Sequence, residues 1–216
     1  MMKTSEKSPH FFESLAVELE PKRESDSLGQ FLLKWFICAA LFTLVSLYLM
    51  PFRFDLTEQL SNPLFYALSL FWFMSSLFLA ILVYQSSVPG TLKWLRPLWA
   101  FAPLVLILVL AFLRSPIHEL SSETAREMDL YRGRCGPIIA FTGLLGTGLF
   151  YFWVYRKGRP QDPRFTAIAV ALASGSLASF IMELICPYEN AMHLVIWHFA
   201  PLAVLTALLA SIVRKI

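Results

Sequence analysis

Two cysteines, a glutamate pair and a histidine-tryptophan-histidine stretch carry the chemistry this sequence offers. Cys135 stands in Arg132-Gly-Arg134-Cys135-Gly136-Pro137, and Cys186 in Glu183-Leu-Ile-Cys186-Pro187-Tyr-Glu189. His193, Trp197 and His198 follow within twelve residues of Cys186. Thiolates exchange with disulfides and bind soft metals, and imidazole and carboxylate complete such sites. Three readings stay open on residue type alone. Glu183 and His193 hydrogen-bond and lock helix packing; or Cys135 and Cys186 sense redox state; or Cys135, Cys186, His193 and Glu189 transiently hold a heavy-metal ion. His193 and Trp197, four apart, share one face of a helix that Pro201 continues, and with His198 and Glu183 they form the structural surround. No other cofactor is expected. The third cysteine, Cys38, reads as an inert apolar filler. No Cys-x-x-Cys pair occurs, so a zinc ribbon or thioredoxin-type motif is absent.

The elements that must position these groups are membrane spans. Of 216 residues, 57% are hydrophobic and only 15% charged, well below the charged share of a soluble domain. The apolar residues fall into runs at 31–50, 64–84, 97–113, 137–155, 165–185 and 191–213, each near the ~20 residues a helix needs to cross hydrocarbon. Backbone groups in lipid must be satisfied internally, and these runs lack the alternation of barrel strands, so each reads as a helix. The expected fold is all-α: a bundle of six transmembrane helices over 31–216, with a short cytoplasmic tail over 1–30. No cleavable signal sequence is visible in that polar tail.

Basic residues orient the bundle. With the N-terminus inside, inner segments hold twelve Lys and Arg, namely residues 3, 7, 22, 23, 93, 96, 156, 157, 159, 164, 214 and 215, and outer loops hold five, at 53, 114, 126, 132 and 134. Lys34 snorkels from the first span. Both termini are then cytoplasmic, in an inner bacterial membrane. Cys135 and Cys186 share the outer side, each beside a helix start whose dipole favours thiolate, with Arg132 and Arg134 adding to the effect at Cys135. An oxidising compartment permits a disulfide if their Cα atoms approach within roughly 7 Å.

Small residues at Gly143, Gly146 and Gly148 and at Ala171, Gly175 and Ser179 suit close helix packing and leave oligomeric state open. In the tail, Phe11, Phe12, Leu15 and Leu19 fall on one helical face, with Glu13, Glu18 and Glu20 elsewhere and Pro21 ending the pattern. Such a segment docks in a partner's groove, lies on the bilayer surface, or stays disordered. Its acidic polar face disfavours the membrane surface. A net charge of +3 with no soluble domain argues against direct nucleic-acid binding.

Several pieces, in order along the chain, resemble the NrsF family of bacterial membrane anti-sigma factors. They are Leu15-x3-Leu19-x-Pro21, Arg53-Phe-Asp55-Leu56, Val88-Pro-Gly90, a lone Cys135 before the fourth span, and Cys186-Pro187 followed by His193-Leu194-x2-Trp197-His198. Where this chain has Arg53-Phe-Asp55-Leu56 the family often has Arg-Pro-Asp-Leu. The resemblance implies a non-enzymatic regulator. Its tail would sequester an extracytoplasmic-function sigma factor, and its two periplasmic cysteines, matching Cys135 and Cys186, would sense oxidative or heavy-metal stress. The rival expectation is a small multi-pass transporter or a membrane thiol oxidoreductase. A transporter favours midplane charge pairs, and a disulfide-generating enzyme favours a Cys-x-x-Cys pair. Neither feature is present in the spans.

Overall fold

The computed structural model describes residues 26–50, 52–88, 102, 104–106, 109, 122–157, 160, 162–187 and 191–213, with backbone alone at 122–134, 155–157 and 191. The amphipathic tail, Glu189 and most of the third expected span lie outside these residues. The described elements are α1 (Leu28–Leu49), α2 (Leu56–Gln59), α3 (Pro63–Ser87), α4 (Ser122–Lys157), α5 (Pro163–Ile185), α6 (Ala191–His193), a π-helical segment (Leu194–Phe199) and α7 (Ala200–Val213). There is no strand among them.

Local signals start these helices. Ser27 and Gln30 form a reciprocal capping box ahead of α1, at 3.1 and 3.3 Å. Asn62 caps α3 through the Leu64 amide and Asp162 caps α5 through the Arg164 and Phe165 amides, each followed by proline in the first turn. Five helical stretches are long and apolar enough to cross a membrane: Leu28–Leu49, Pro63–Ser87, Cys135–Val154, Pro163–Ile185 and Leu194–Val213. The expected starts of these five spans hold to within a few residues, but the helix of α4 extends well ahead of its span. Its helix begins at Ser122, fifteen residues before the expected 137, and carries Pro137 inside it. A proline that could open a span instead sits within one, because the polar run before it is rich in helix formers.

α5 is the centre of the bundle. Its wall of Ala167, Ala169, Ala171, Ala173, Ser176 and Ser179 is buried, and α3, α4 and α7 all pack on it. The Ser76 hydroxyl of α3 donates to the Ala173 carbonyl at 2.6 Å, satisfying a polar group that lipid could not. A side chain at Gly175 would run into Leu202, so the Leu202 side chain of α7 packs directly on the α5 backbone there. The expected small-residue stripe therefore serves packing within the chain at Gly143, Gly146 and Gly175, whereas Gly148 faces open space. α1 is nearly unburied, exposing Leu33, Leu41, Leu44 and Val45, as a lipid-facing helix must.

Two ends of the bundle are defined by side-chain contacts. At one, Phe31 stacks on Trp153 with ring centroids 5.0 Å apart and meets Tyr84 at 5.4 Å, and Ser86 bonds Thr166 at 2.8 Å. The start of α1, the end of α3, the end of α4 and the start of α5 meet there. The opposite end gathers Arg53, Phe65, Cys135, Cys186 and His193.

Candidate functional site

Cys186 closes α5 as its C-cap, its amide bonding the Met182 carbonyl at 2.6 Å. Cys135 lies in α4, two residues before Pro137. These positions, 51 residues apart, bring Cys135 Sγ to 3.4 Å from Cys186 Sγ. Both thiols are free and buried. His193 Nε2 also stands 3.3 Å from the Cys186 sulfur. The three donor atoms lie within 4.8 Å of one another. Ile139, Ala178 and Met182 wall the cluster, with Ile138 and Trp197 against it. Gly136 gives Trp197 its place: a Cβ there would stand 2.8 Å from the indole and 3.5 Å from Pro201.

The electrostatic expectation for these thiols changes. Cys135 is thirteen residues into α4 and not at a helix start, and Cys186 caps the C-terminal end of α5, where the dipole opposes negative charge. The neighbouring Cys135 sulfur and burial push the Cys186 thiol up. The Cys186 thiol is thus protonated and enclosed, not an exposed nucleophile.

The π-helical segment arranges the histidines. A π turn places residues five apart in line, so His198, not Trp197, comes under His193, with ring centroids 5.6 Å apart. His198 is 1% exposed, and its two ring nitrogens have no hydrogen-bond partner among the described residues. Glu183, one turn before Cys186 on α5, is also buried. The cluster therefore brings together Cys135, Cys186 and His193, with Trp197, His198 and Glu183 around it. Glu189, the expected carboxylate ligand, lies outside the described residues.

A group that residue-type reasoning missed braces the turn. Arg53, 4% exposed, grips Asp55 with two bonds of 2.6 Å. Its amide donates to the Leu184 carbonyl at 3.2 Å, and its Nη2 to the Pro187 carbonyl at 3.4 Å. The guanidinium also sits over the Phe65 ring, 5.6 Å from its centroid. Arg53 and Asp55 thus hold both sides of Cys186. Their only sequence signal was the Arg-x-Asp-Leu pattern.

Among the described residues, an all-helical fold with five helices long and apolar enough to cross a membrane, and a buried thiol–imidazole cluster at one end, marks a multi-helix membrane protein. The chain belongs to the NrsF family, negative regulator of sigma F, whose family model matches residues 15–216. Its regulatory role is thus that of an anti-sigma factor, and its partner a sigma factor. No curated protein and no solved structure matches the chain.

Proposed function

We propose that this chain holds an extracytoplasmic-function sigma factor at the bacterial inner membrane through Phe11, Phe12, Leu15 and Leu19. On this reading it releases that factor when Cys135 and Cys186 meet an oxidant or a heavy-metal ion in the periplasm. The observation that carries the sensing half is the 3.4 Å approach of the two sulfurs. In the oxidative arm the sulfurs form one bond, two protons leave, and the oxidant takes two electrons.

Connectivity supports six crossings. α3 ends near Ser86, at the pole where Thr166 begins α5, while Cys135 lies at the pole of Cys186. On this reading the apolar run 97–113 supplies the sixth crossing, which carries the chain from one pole to the other. The pole holding Ser86 and Thr166 is flanked by Lys93, Arg96, Arg156, Lys157, Arg159 and Arg164, which supports a cytoplasmic assignment for it and a periplasmic one for the thiols.

Co-purification of the full chain with its sigma factor tests the tail. Leu15→Asp and Leu19→Asp abolish capture if the tail is the binding segment, and unchanged capture refutes it. Labelling of Cys186 by a membrane-impermeant thiol reagent, only after the inner membrane is opened, would overturn the orientation.

A further inference from the structure

The two arms of that reading make different demands on the residues. A disulfide needs only two sulfurs. The structure supplies a third donor, the His193 imidazole, beside the Cys186 sulfur. We propose that Cys135 Sγ, Cys186 Sγ and His193 Nε2 form a three-coordinate site for one soft divalent cation of the zinc–cadmium–mercury class. This deepens the proposed sensing role and rests on it.

Size, charge and surroundings carry the assignment. With sulfur ligands at about 2.3 Å and nitrogen at about 2.0 Å, donors around a three-coordinate ion stand about 3.7–4 Å apart. The observed separations are 3.4 and 3.3 Å, with all three donors inside 4.8 Å. Side-chain shifts of up to about an ångström, which open the two short separations and close the third, admit the ion. Binding displaces one proton from each thiol to water, and the two thiolates then cancel a divalent charge while the imidazole stays neutral. A site with zero net charge suits a pocket walled by Ile139, Ala178 and Met182, where an uncompensated charge is costly. A monovalent cation would leave a negative charge there. Two sulfurs and one nitrogen also select soft or borderline metals over magnesium and calcium. His198, beside His193 and with two ring nitrogens that have no hydrogen-bond partner among the described residues, offers a further donor if coordination expands.

The test uses the full chain in detergent with cadmium chloride as probe. Wild type should bind one cadmium per chain with a thiolate-to-cadmium absorption band, and X-ray absorption on the loaded protein should read two sulfurs and one or two nitrogens. His193→Gln should weaken cadmium at least about tenfold while still forming the Cys135–Cys186 disulfide with a mild oxidant. A shell without nitrogen, no cadmium bound by wild type, or undiminished affinity in His193→Gln would each overturn the proposal. The ligand shell is read on wild type, so the result does not depend on how the variant folds. If cadmium binds as expected but neither cadmium nor oxidant changes capture of the sigma factor, the sensing role fails and the site stands.

Discussion

Arg53 reaches across 134 residues of chain to donate a 3.4 Å hydrogen bond to the carbonyl of Pro187. Its amide bonds Leu184 on the other side of Cys186, and its guanidinium is paired with Asp55. The segment that follows α1 is thereby fastened to the turn that carries Cys186. Changing Arg53 to Gln removes the paired charge. It should lower stability by about 2 kcal/mol, less than the ~3–5 kcal/mol of a fully buried pair because Asp55 keeps 19% of its side-chain exposure. Thermal unfolding in detergent measures the loss, and faster alkylation of Cys186 reports the loosened turn.

The same pair sets an acid limit. The Arg53 guanidinium hydrogen-bonded to Asp55 holds its carboxyl below the usual carboxylate range. A depressed folded pKa contributes stability above the unfolded value and loses it as pH falls through the folded one. The melting-temperature gap between wild type and Asp55→Asn should be constant near neutrality and close below about pH 4. A gap that persists in stronger acid would deny the ion pair its share.

Oxidation should join Cys135 to Cys186 within one chain. A mild oxidant gives a faster-migrating species on a non-reducing gel in wild type and in Cys38→Ser, but not in Cys135→Ser or Cys186→Ser. If the disulfide is the releasing signal, capture of the sigma factor by the oxidised protein falls about 5–150-fold, the range of an ordinary coupling energy. Release that persists in Cys135→Ser would separate the thiol pair from the signal.

Gly175→Val forces a side chain into Leu202. The overpacking should cost about 1–3 kcal/mol and, because α7 continues from the segment carrying His193 and His198, should also disturb the cluster. Gly148→Ala meets nothing within 4 Å and should be neutral or gain up to about 1 kcal/mol. Melting temperatures of the two variants, measured side by side, separate close approach from mere small-residue content.

Much of this architecture is readable from residue order because lipid imposes a length and an internal bonding rule on every span. Helices α1, α3, α5 and the last helix start within a few residues of their apolar runs. The nearness of Cys135 and Cys186 was only permitted by shared sidedness, since a separation in space is set by packing of α4 on α5. The span in α4 lies where its apolar run put it, at Cys135–Val154; the helical stretch from Ser122 before it was missed because that stretch is mostly polar, and hydropathy does not register a helix extending beyond the apolar core. Pairing His193 with Trp197 assumed 3.6 residues per turn, and a π segment breaks that assumption without any residue that announces it. Arg53 looked like a loop charge; its burial comes from partners more than a hundred residues away.

The π segment has a further consequence, in angular terms. His193 and Leu202 are nine residues apart, about two and a half turns of unbroken α-helix, which would set them on opposite faces. Both are buried, at 3% and 2% exposure, one in the thiol cluster and the other against Gly175 of α5. The wider turn at Leu194–Phe199 supplies the phase correction that lets one helix serve both. Removing a single residue between 194 and 199 would hardly shorten that helix, yet it would rotate everything beyond the cut and leave either the imidazole or the leucine facing away from the bundle.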